Sequence, residues 1–180
     1  MPKVIFVSGI HGVGKSTLCK ELSSRLGFNH YSCSQIIKDN SDYIETSKLV
    51  SGINKNQASL LRGISLIEDE VVLLDGHFCL LEKDFSVRKL SFDIFDNISP
   101  FVILNVTCDE LEIHSRLKKR DIEVLKLSTI KNLQDNETTQ ANLYCADRPT
   151  CNLLSYESPR CIERTAINLI SLLKKSNNHD

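Results

Sequence analysis

The chain has 180 residues, a formal net charge of −1 and a pI near 6.5. That length suits one domain with its own core, since a compact fold of this size buries about 70% of the surface its unfolded chain exposes. The balanced charge excludes a bulk electrostatic drive toward nucleic acid or an anionic membrane, and no apolar stretch reaches membrane-spanning length.

The first expected element is a strand over 3 to 8, entered from Met1-Pro2-Lys3 without signal-peptide anatomy, so a cytoplasmic location is the expectation. The strand runs straight into Gly9-Ile10-His11-Gly12-Val13-Gly14-Lys15-Ser16-Thr17, the GxxxxGK[ST] pattern of a phosphate-binding P-loop. Gly9, Gly12 and Gly14 permit backbone angles that turn successive N–H groups toward a β-phosphate. Lys15 adds a mobile charge that reaches the β- and γ-oxygens, and Ser16 is a Mg²⁺ ligand candidate. Leu18, Leu22 and Leu26 give the next segment, 15 to 26, a helical period. The loop therefore opens a helix whose N-terminal partial charge attracts phosphate.

Apolar runs at 28 to 31, 70 to 75, 101 to 107 and 150 to 154 predict four more strands. Helical spacing covers 33 to 40, 54 to 69, 109 to 120, 128 to 145 and 159 to 175, the last amphipathic through Ile162, Ala166, Leu169 and Leu173 and so expected to pack on the sheet. This alternation implies an α/β domain: a five-stranded parallel sheet with helices on both faces. Residues 40 to 53 and 82 to 98 carry no clear pattern. Phe85, Leu90, Phe92, Ile94, Phe95 and Ile98 make the second stretch too apolar for a free loop, so it is expected to pack under the acceptor side of the site.

The strand over 70 to 75 ends in Asp75-Gly76-His77. Ligands of an open parallel sheet bind outside the strand carboxyl ends, so Asp75 is expected beside the P-loop, holding a Mg²⁺-bound water. After the fourth strand, Arg116 and Arg120 stand four apart on one helical face, where two guanidiniums grip a nucleotide and neutralise charge developing on a transferring phosphoryl group. Seven cysteines, Cys19, Cys33, Cys79, Cys108, Cys145, Cys151 and Cys161, form no CxxC pair and fit reduced thiols. The metal alternative is a cluster of Cys145, Cys151 and Cys161 with a histidine.

In this order and at these separations the three anchors resemble the adenylate-kinase-like P-loop nucleoside monophosphate kinases. The resemblance is nearest to the compact archaeal-type adenylate kinases and their eukaryotic nuclear relatives. Asp75-Gly76-His77 matches their DxH pattern, and Arg116-Leu117 with Arg120-Asp121-Ile122 matches their RLxxR and RDI lid entry. The resemblance implies strand order 2-3-1-4-5, a single domain over 1 to 180 and a lid at 120 to 128. It implies Arg116 against the adenine or phosphates, Arg120 on the transferring group, and an acceptor region over 32 to 69 containing Ser34, Lys38 and Arg62. ATP and Mg²⁺ are the implied cofactors, and His11, Val13 and Thr17 complete the nucleotide-binding loop. A nucleotide acceptor is the expected partner, with no membrane; a nucleic acid or ribonucleoprotein partner is not indicated by charge. The expected state is a monomer or small homo-oligomer.

The chain also departs from that family. Gly76-His77-Phe78-Cys79 replaces a GFPR-like sequence whose arginine holds the acceptor phosphate, and Lys38 stands where an arginine is common. The helix over 128 to 145 carries no arginine, leaving Arg148 or Arg160 as substitutes, and His11 is unusual at its P-loop position. The leading expectation is Mg²⁺-ATP-dependent phosphoryl transfer to a nucleoside monophosphate or similar phosphorylated acceptor, which needs positive positioning groups and no general base. One alternative is a shikimate-, gluconate- or polynucleotide-type kinase of a hydroxyl. These commonly place an acid just after strand two, whereas this chain has none there until Asp39. The other is a weak ATPase acting as a nucleotide-driven switch on a protein or ribonucleoprotein, in which His77 orients water or couples Asp75 to the lid.

Overall fold

Val4, Ile5 and Val7 are wholly excluded from solvent and Phe6 nearly so, as expected of the central strand of a parallel sheet covered on both faces. The computed structural model describes residues 1–46, 55–120 and 125–177. Its elements run β1 (Lys3–Ser8), α1 (Lys15–Leu26), β2 (Asn29–Ser32), α2 (Cys33–Thr46), α3 (Lys55–Ser65) and β3 (Val71–Gly76). A hairpin of β4 (Cys79–Leu81) and β5 (Val87–Lys89) leads to α4 (Phe92–Ile98). The chain continues through β6 (Val102–Cys108), α5 (Glu110–Lys119), α6 (Leu127–Ala146), β7 (Asn152–Ser158) and α7 (Glu163–Asn177).

The main sheet is parallel with order β2-β3-β1-β6-β7, which is 2-3-1-4-5 when only its own strands are counted. Val7 pairs with Asp75 and Ser8 with Gly76. The P-loop and the acid therefore leave adjacent strands at the same edge, where ligands of such sheets bind. Among the described residues no helix is long and apolar enough to cross a membrane.

The structure moves several expected boundaries. The last strand spans Asn152–Ser158 rather than 150 to 154, with Ser155 and Glu157 paired to Asn105 and Thr107. It is an edge strand, and its solvent-facing polar residues break the apolar run without breaking the ladder. The third helix stops at Ser65, four residues early, and leaves Leu66 exposed. Residues 47–54, which include the second half of the unassigned stretch over 40 to 53, and residues 121–124 of the expected lid lie outside the described residues; the first half of that stretch continues α2. The other difficult stretch resolves into the β4–β5 hairpin and α4, whose first turn is capped by the Ser91 hydroxyl accepting the Asp93 N–H. Ile94, Phe95 and Ile98 of α4 are buried.

Those α4 residues join an aromatic cluster. Phe78 stacks on Phe95 with centroids 4.2 Å apart, and Phe6 meets Phe95 edge-on at 5.3 Å. Arg148 closes the cluster from outside. Its Nε and Nη2 donate to Asp96 at 2.5 and 2.7 Å, and its guanidinium sits 4.1 Å over the Tyr144 ring. It clamps α4 to α6 and is not a substitute acceptor-gripping arginine. Arg160 pairs at the surface with Glu157, so neither replacement considered for the missing family arginines faces the site.

Helices α2 and α3 pack through Gly63, where an added Cβ would lie 2.2 Å from Ile36 Cγ2 and 2.8 Å from Asn40 Nδ2. Alanine in a helix gains about 1 kcal/mol over glycine, but overpacking costs about 1–3 kcal/mol. Ile36 is itself buried, so the steric cost wins. Gly63→Ala should lower Tm by several degrees in a thermal melt, and an unchanged or raised Tm would show that Ile36 and Asn40 withdraw freely.

Candidate active site

A cleft of 660 Å³ opens at the carboxyl ends of β1, β2 and β3. His11, Gly12, Gly14, Lys15, Ser16 and Thr17 line it together with Asp75, His77 and Arg120, and Ile37, Leu60, Leu80, Leu90, Ile94 and Phe95 give it apolar surface. The unpatterned stretch over 82 to 98 thus supplies part of the apolar wall, as its composition required. Ser16 and Asp75 offer oxygen donors to the same space, the donor class that suits Mg²⁺.

Lys15 is nearly buried, and burial is the main cause that lowers its pKa, with Asp75 and Glu137 opposing. Its Nζ donates to the Gly9 carbonyl at 2.5 Å and the Ile10 carbonyl at 3.2 Å. The ammonium is thereby held inside the loop at short range from where phosphate oxygens would bind. His77 is pushed down to about 2, by burial first and by Lys15 and His11 next. His11, whose ring centroid lies 4.5 Å from that of His77, is lowered by burial and then by Lys15. Both imidazoles are neutral at pH 7 and contribute dipoles rather than charge.

Two cofactor-binding candidates leave the lining. Val13 has its side chain in the core and its N–H on the Ile10 carbonyl, and the Gly9 N–H is donated to Glu137. An added Cβ on Gly9 would meet the Val106 carbonyl at 2.7 Å, so that glycine is required by close backbone approach as well as by its φ of 146°. Arg116 also turns away from the cleft. Its Nη1 donates to the Gly12 and Val13 carbonyls at 3.2 Å each and to Ser158 Oγ at 3.4 Å, while Nε holds Glu112 at 3.0 Å. It braces the loop from behind. Arg120 parts from it because α5 ends at Lys119 and Arg120 is the capping residue, exposed and lining the cleft.

On the acceptor side Ser34 lines the cleft, but Lys38 and Arg62 do not. Ser34 and Ile37 line the cleft from α2, and Lys38, one turn beyond Ser34 and only about 40° from it round the helix, is exposed and stays outside the lining. On α3 the cleft-facing residues are Asn56, Gln57 and Leu60, and two more residues carry Arg62 to the other side. The cysteine cluster considered from the sequence does not form. Cys145 Sγ and Cys151 Sγ are 3.2 Å apart, but Cys161 is exposed and hydrogen-bonds Glu163.

Two site residues escaped the sequence. His30, on β2, has its Nε2 2.6 Å from Asp75 Oδ2, a hydrogen bond that the imidazole donates to the carboxylate. Glu137, on α6, is 1% exposed and accepts three backbone N–H groups: Gly9 at 3.1 Å and Phe78 at 2.8 Å on Oε1, and Cys79 at 2.7 Å on Oε2. One turn earlier, Gln134 exchanges two hydrogen bonds with the Cys108 backbone. A signal existed: Gln134, Glu137 and Thr138 recur at helical spacing between the apolar positions Ile130, Leu133 and Ala141, marking a polar stripe on a buried face.

Burial raises the Glu137 carboxyl from 4.5 to about 7, against the downward pull of the Phe78 and Cys79 N–H groups and of Lys15. A raised folded pKa means that the group's contribution to stability is complete below pH 4.5 and is lost as pH climbs through about 7. Relative to Glu137→Gln, which cannot titrate, the wild type should therefore lose on the order of 3 kcal/mol of unfolding free energy across that window, at about 1.4 kcal/mol per tenfold change. Urea unfolding of both proteins at a series of pH values measures this. A pH-independent difference would mean that the carboxyl stays ionised throughout.

Comparison with known proteins agrees with this geometry. The structure is similar to the Bacillus subtilis YorR protein in complex with phosphorylated GDP, at 19% identity and TM-score 0.60 over 98% of this chain and 99% of that one. It is similar to a gluconokinase from Sinorhizobium meliloti, at 11% identity and TM-score 0.53 over 98% and 94%. A shikimate kinase from Acinetobacter baumannii, in complex with shikimate, matches at 16% identity and TM-score 0.54 over 98% and 95%. At these identities what is shared is the fold, that of the P-loop kinases. No curated protein matches the chain. The family model described as AAA domain (AAA_18) matches residues 5–140, a stretch that includes the P-loop, Asp75, Arg120 and Glu137, and the chain belongs to that family.

Proposed function

We propose that the chain transfers the γ-phosphoryl group of ATP to a nucleoside monophosphate or a similar phosphorylated acceptor. The observation that carries this reading is the mixed lining of the cleft: Lys15, Lys20, Asp75 and Arg120 supply charge, and Leu60, Leu80, Leu90, Ile94 and Phe95 supply apolar surface. Apolar surface of this extent favours the faces of a planar base, with Ser32, Ser34 and Gln57 left for its polar groups, over a small acid hydroxylated all round.

In this reading the P-loop amides and the start of α1 hold the triphosphate, and Lys15 exchanges the Gly9 and Ile10 carbonyls for phosphate oxygens. Ser16 and, through a water, Asp75 would hold Mg²⁺, which would supply charge neutralisation on the phosphates. Arg120 neutralises charge that develops on the transferring group, and Ser34 with the neighbouring polar residues Ser32 and Gln57 positions the acceptor. Because a phosphate acceptor is already an anion, no proton needs to be removed. The neutral His11 and His77 suit such a site, since neither competes with Lys15 or Arg120 for the phosphates.

One observation favours a second reading. His30 lies against Asp75 and lines the cleft, and an imidazole oriented by a carboxylate is able to take the proton of an attacking hydroxyl. The fold-level likeness to a gluconokinase and a shikimate kinase points the same way. Incubation with Mg²⁺-ATP and separate panels of nucleoside monophosphates and hydroxylated acids, followed by chromatography, decides between them. Diphosphate formation is the expected result. Phosphorylated hydroxy acids would establish the second reading, and slow phosphate release that no acceptor stimulates would point to a nucleotide-driven switch.

Two substitutions test the roles. Asp75→Asn keeps shape and loses charge, so turnover should fall about a hundredfold or more, while Mg²⁺-free nucleotide affinity changes much less; full Mg²⁺-dependent turnover by the variant would remove Asp75 from the mechanism. Arg120→Lys retains charge but not the planar fork. It should lower kcat more than it weakens ATP binding, and a kcat within about twofold of wild type, roughly 0.4 kcal/mol, would assign Arg120 to a solvated surface.

A further inference from the structure

We propose that Cys19, His30 and Asp75 form a binding site for a thiophilic divalent cation of the Zn²⁺ class, and that this cation competes with nucleotide-bound Mg²⁺ for Asp75. The competition rests on the role given to Asp75 above, whereas the binding of the cation does not. Sγ of Cys19, an imidazole nitrogen of His30 and a carboxylate oxygen of Asp75 all lie within 4.8 Å of one another. They come from three elements, the second turn of α1, β2 and the end of β3, so the cluster is built by the tertiary fold rather than by one flexible loop. In the β2–β3 ladder Ser32 is opposite Asp75, which sets His30 two residues diagonally from the acid.

The donor set decides the metal. One sulfur, one nitrogen and one oxygen make three corners of the tetrahedron that Zn²⁺ accepts. Mg²⁺ requires oxygen ligands at octahedral positions and gains little from a thiol or an imidazole. Cys19 is fully buried, while the His30 and Asp75 side chains keep 20% and 13% exposure and line the cleft. The cation therefore enters from the cleft, meets Asp75 and His30 first and finds Cys19 behind them. Its fourth position faces the cleft, open to water or a phosphate oxygen. On binding, the thiol proton of Cys19 leaves to solvent, the His30 imidazole shifts its proton from Nε2 to Nδ1, and the cation replaces the His30 to Asp75 hydrogen bond with two metal–ligand bonds. Asp75 is then no longer able to orient a water on Mg²⁺.

Co²⁺, which reports its ligands spectroscopically, tests this on the whole chain. The adjacent Cys145 and Cys151 thiols could also bind it, so the background carries Cys145→Ser and Cys151→Ser. The expected result is one bound Co²⁺ with a thiolate charge-transfer band and tetrahedral visible bands, all displaced by Zn²⁺. Cys19→Ser should remove the thiolate band, and His30→Gln should weaken binding about tenfold or more, the scale on which even outer-shell partners matter. Circular dichroism checks the fold, and if Cys19→Ser is misfolded, Cys19→Ala and His30→Gln carry the test. Absence of a thiolate band, or one that survives removal of Cys19, overturns the site. In the turnover assay Zn²⁺ should inhibit, excess Mg²⁺ should relieve the inhibition, and Cys19→Ser should be resistant while turning over as the background does. Tight Zn²⁺ binding without inhibition overturns the competition. A Cys19-dependent band in a protein that never turns over ATP supports the metal site and overturns the proposed function instead.

Discussion

The site depends on one buried carboxylate. Glu137 draws the first glycine of the P-loop and the two residues after the Asp75-Gly76-His77 triplet onto a single side chain. A carboxyl removed from water is costly unless its oxygens are hydrogen-bonded, and three N–H donors offset that cost. They also impose a geometry. The P-loop entry, the exit of β3 and α6 cannot shift independently without orphaning an N–H group or a charge. On the other side of the loop Arg116 takes up the Gly12 and Val13 carbonyls. An acid beneath and a guanidinium behind thus hold the same loop by its two kinds of backbone group, and that preorganisation lowers the ordering cost of receiving a phosphate chain.

The apolar wall of the cleft is held by different physics. Helix α4 has only seven residues and could not be stable alone. Its buried face packs into the Phe6, Phe78, Phe95 and Tyr144 cluster, and the bidentate pair of Arg148 with Asp96 ties its outer face to α6. Helix α6 therefore connects both halves of the cleft: Glu137 sets the phosphate end, and Tyr144, two turns later, backs the apolar wall. A change that tilts α6 should be felt at both ends at once.

Charge near Asp75 is finely divided. Lys15 reaches it through space, His30 by a hydrogen bond, and the Cys19 and Cys33 thiols, raised in pKa chiefly by burial, are raised further by its charge. The carboxylate is a junction at which an imidazole and a thiol converge at the edge of the cleft.

The strand and the P-loop were legible because each is a local pattern: apolar, mostly β-branched residues from Val4 to Val7, glycines at fixed offsets, Lys15 opening a periodic helix; the order of the sheet followed only from the family resemblance that these motifs carry. Asp75 was legible for the same reason, since a charged residue ending a buried strand marks its carboxyl end. The direction of Arg116, the exclusion of Lys38 and Arg62 from the cleft, and the roles of His30 and Glu137 were decided only by the tertiary structure. Each depends on how a helix is placed against the sheet or on a pairing between residues far apart in sequence, such as His30 with Asp75 or Gly9 with Glu137. A side chain carries no local mark of the backbone amide it will meet across more than a hundred residues, so packing alone could reveal those contacts.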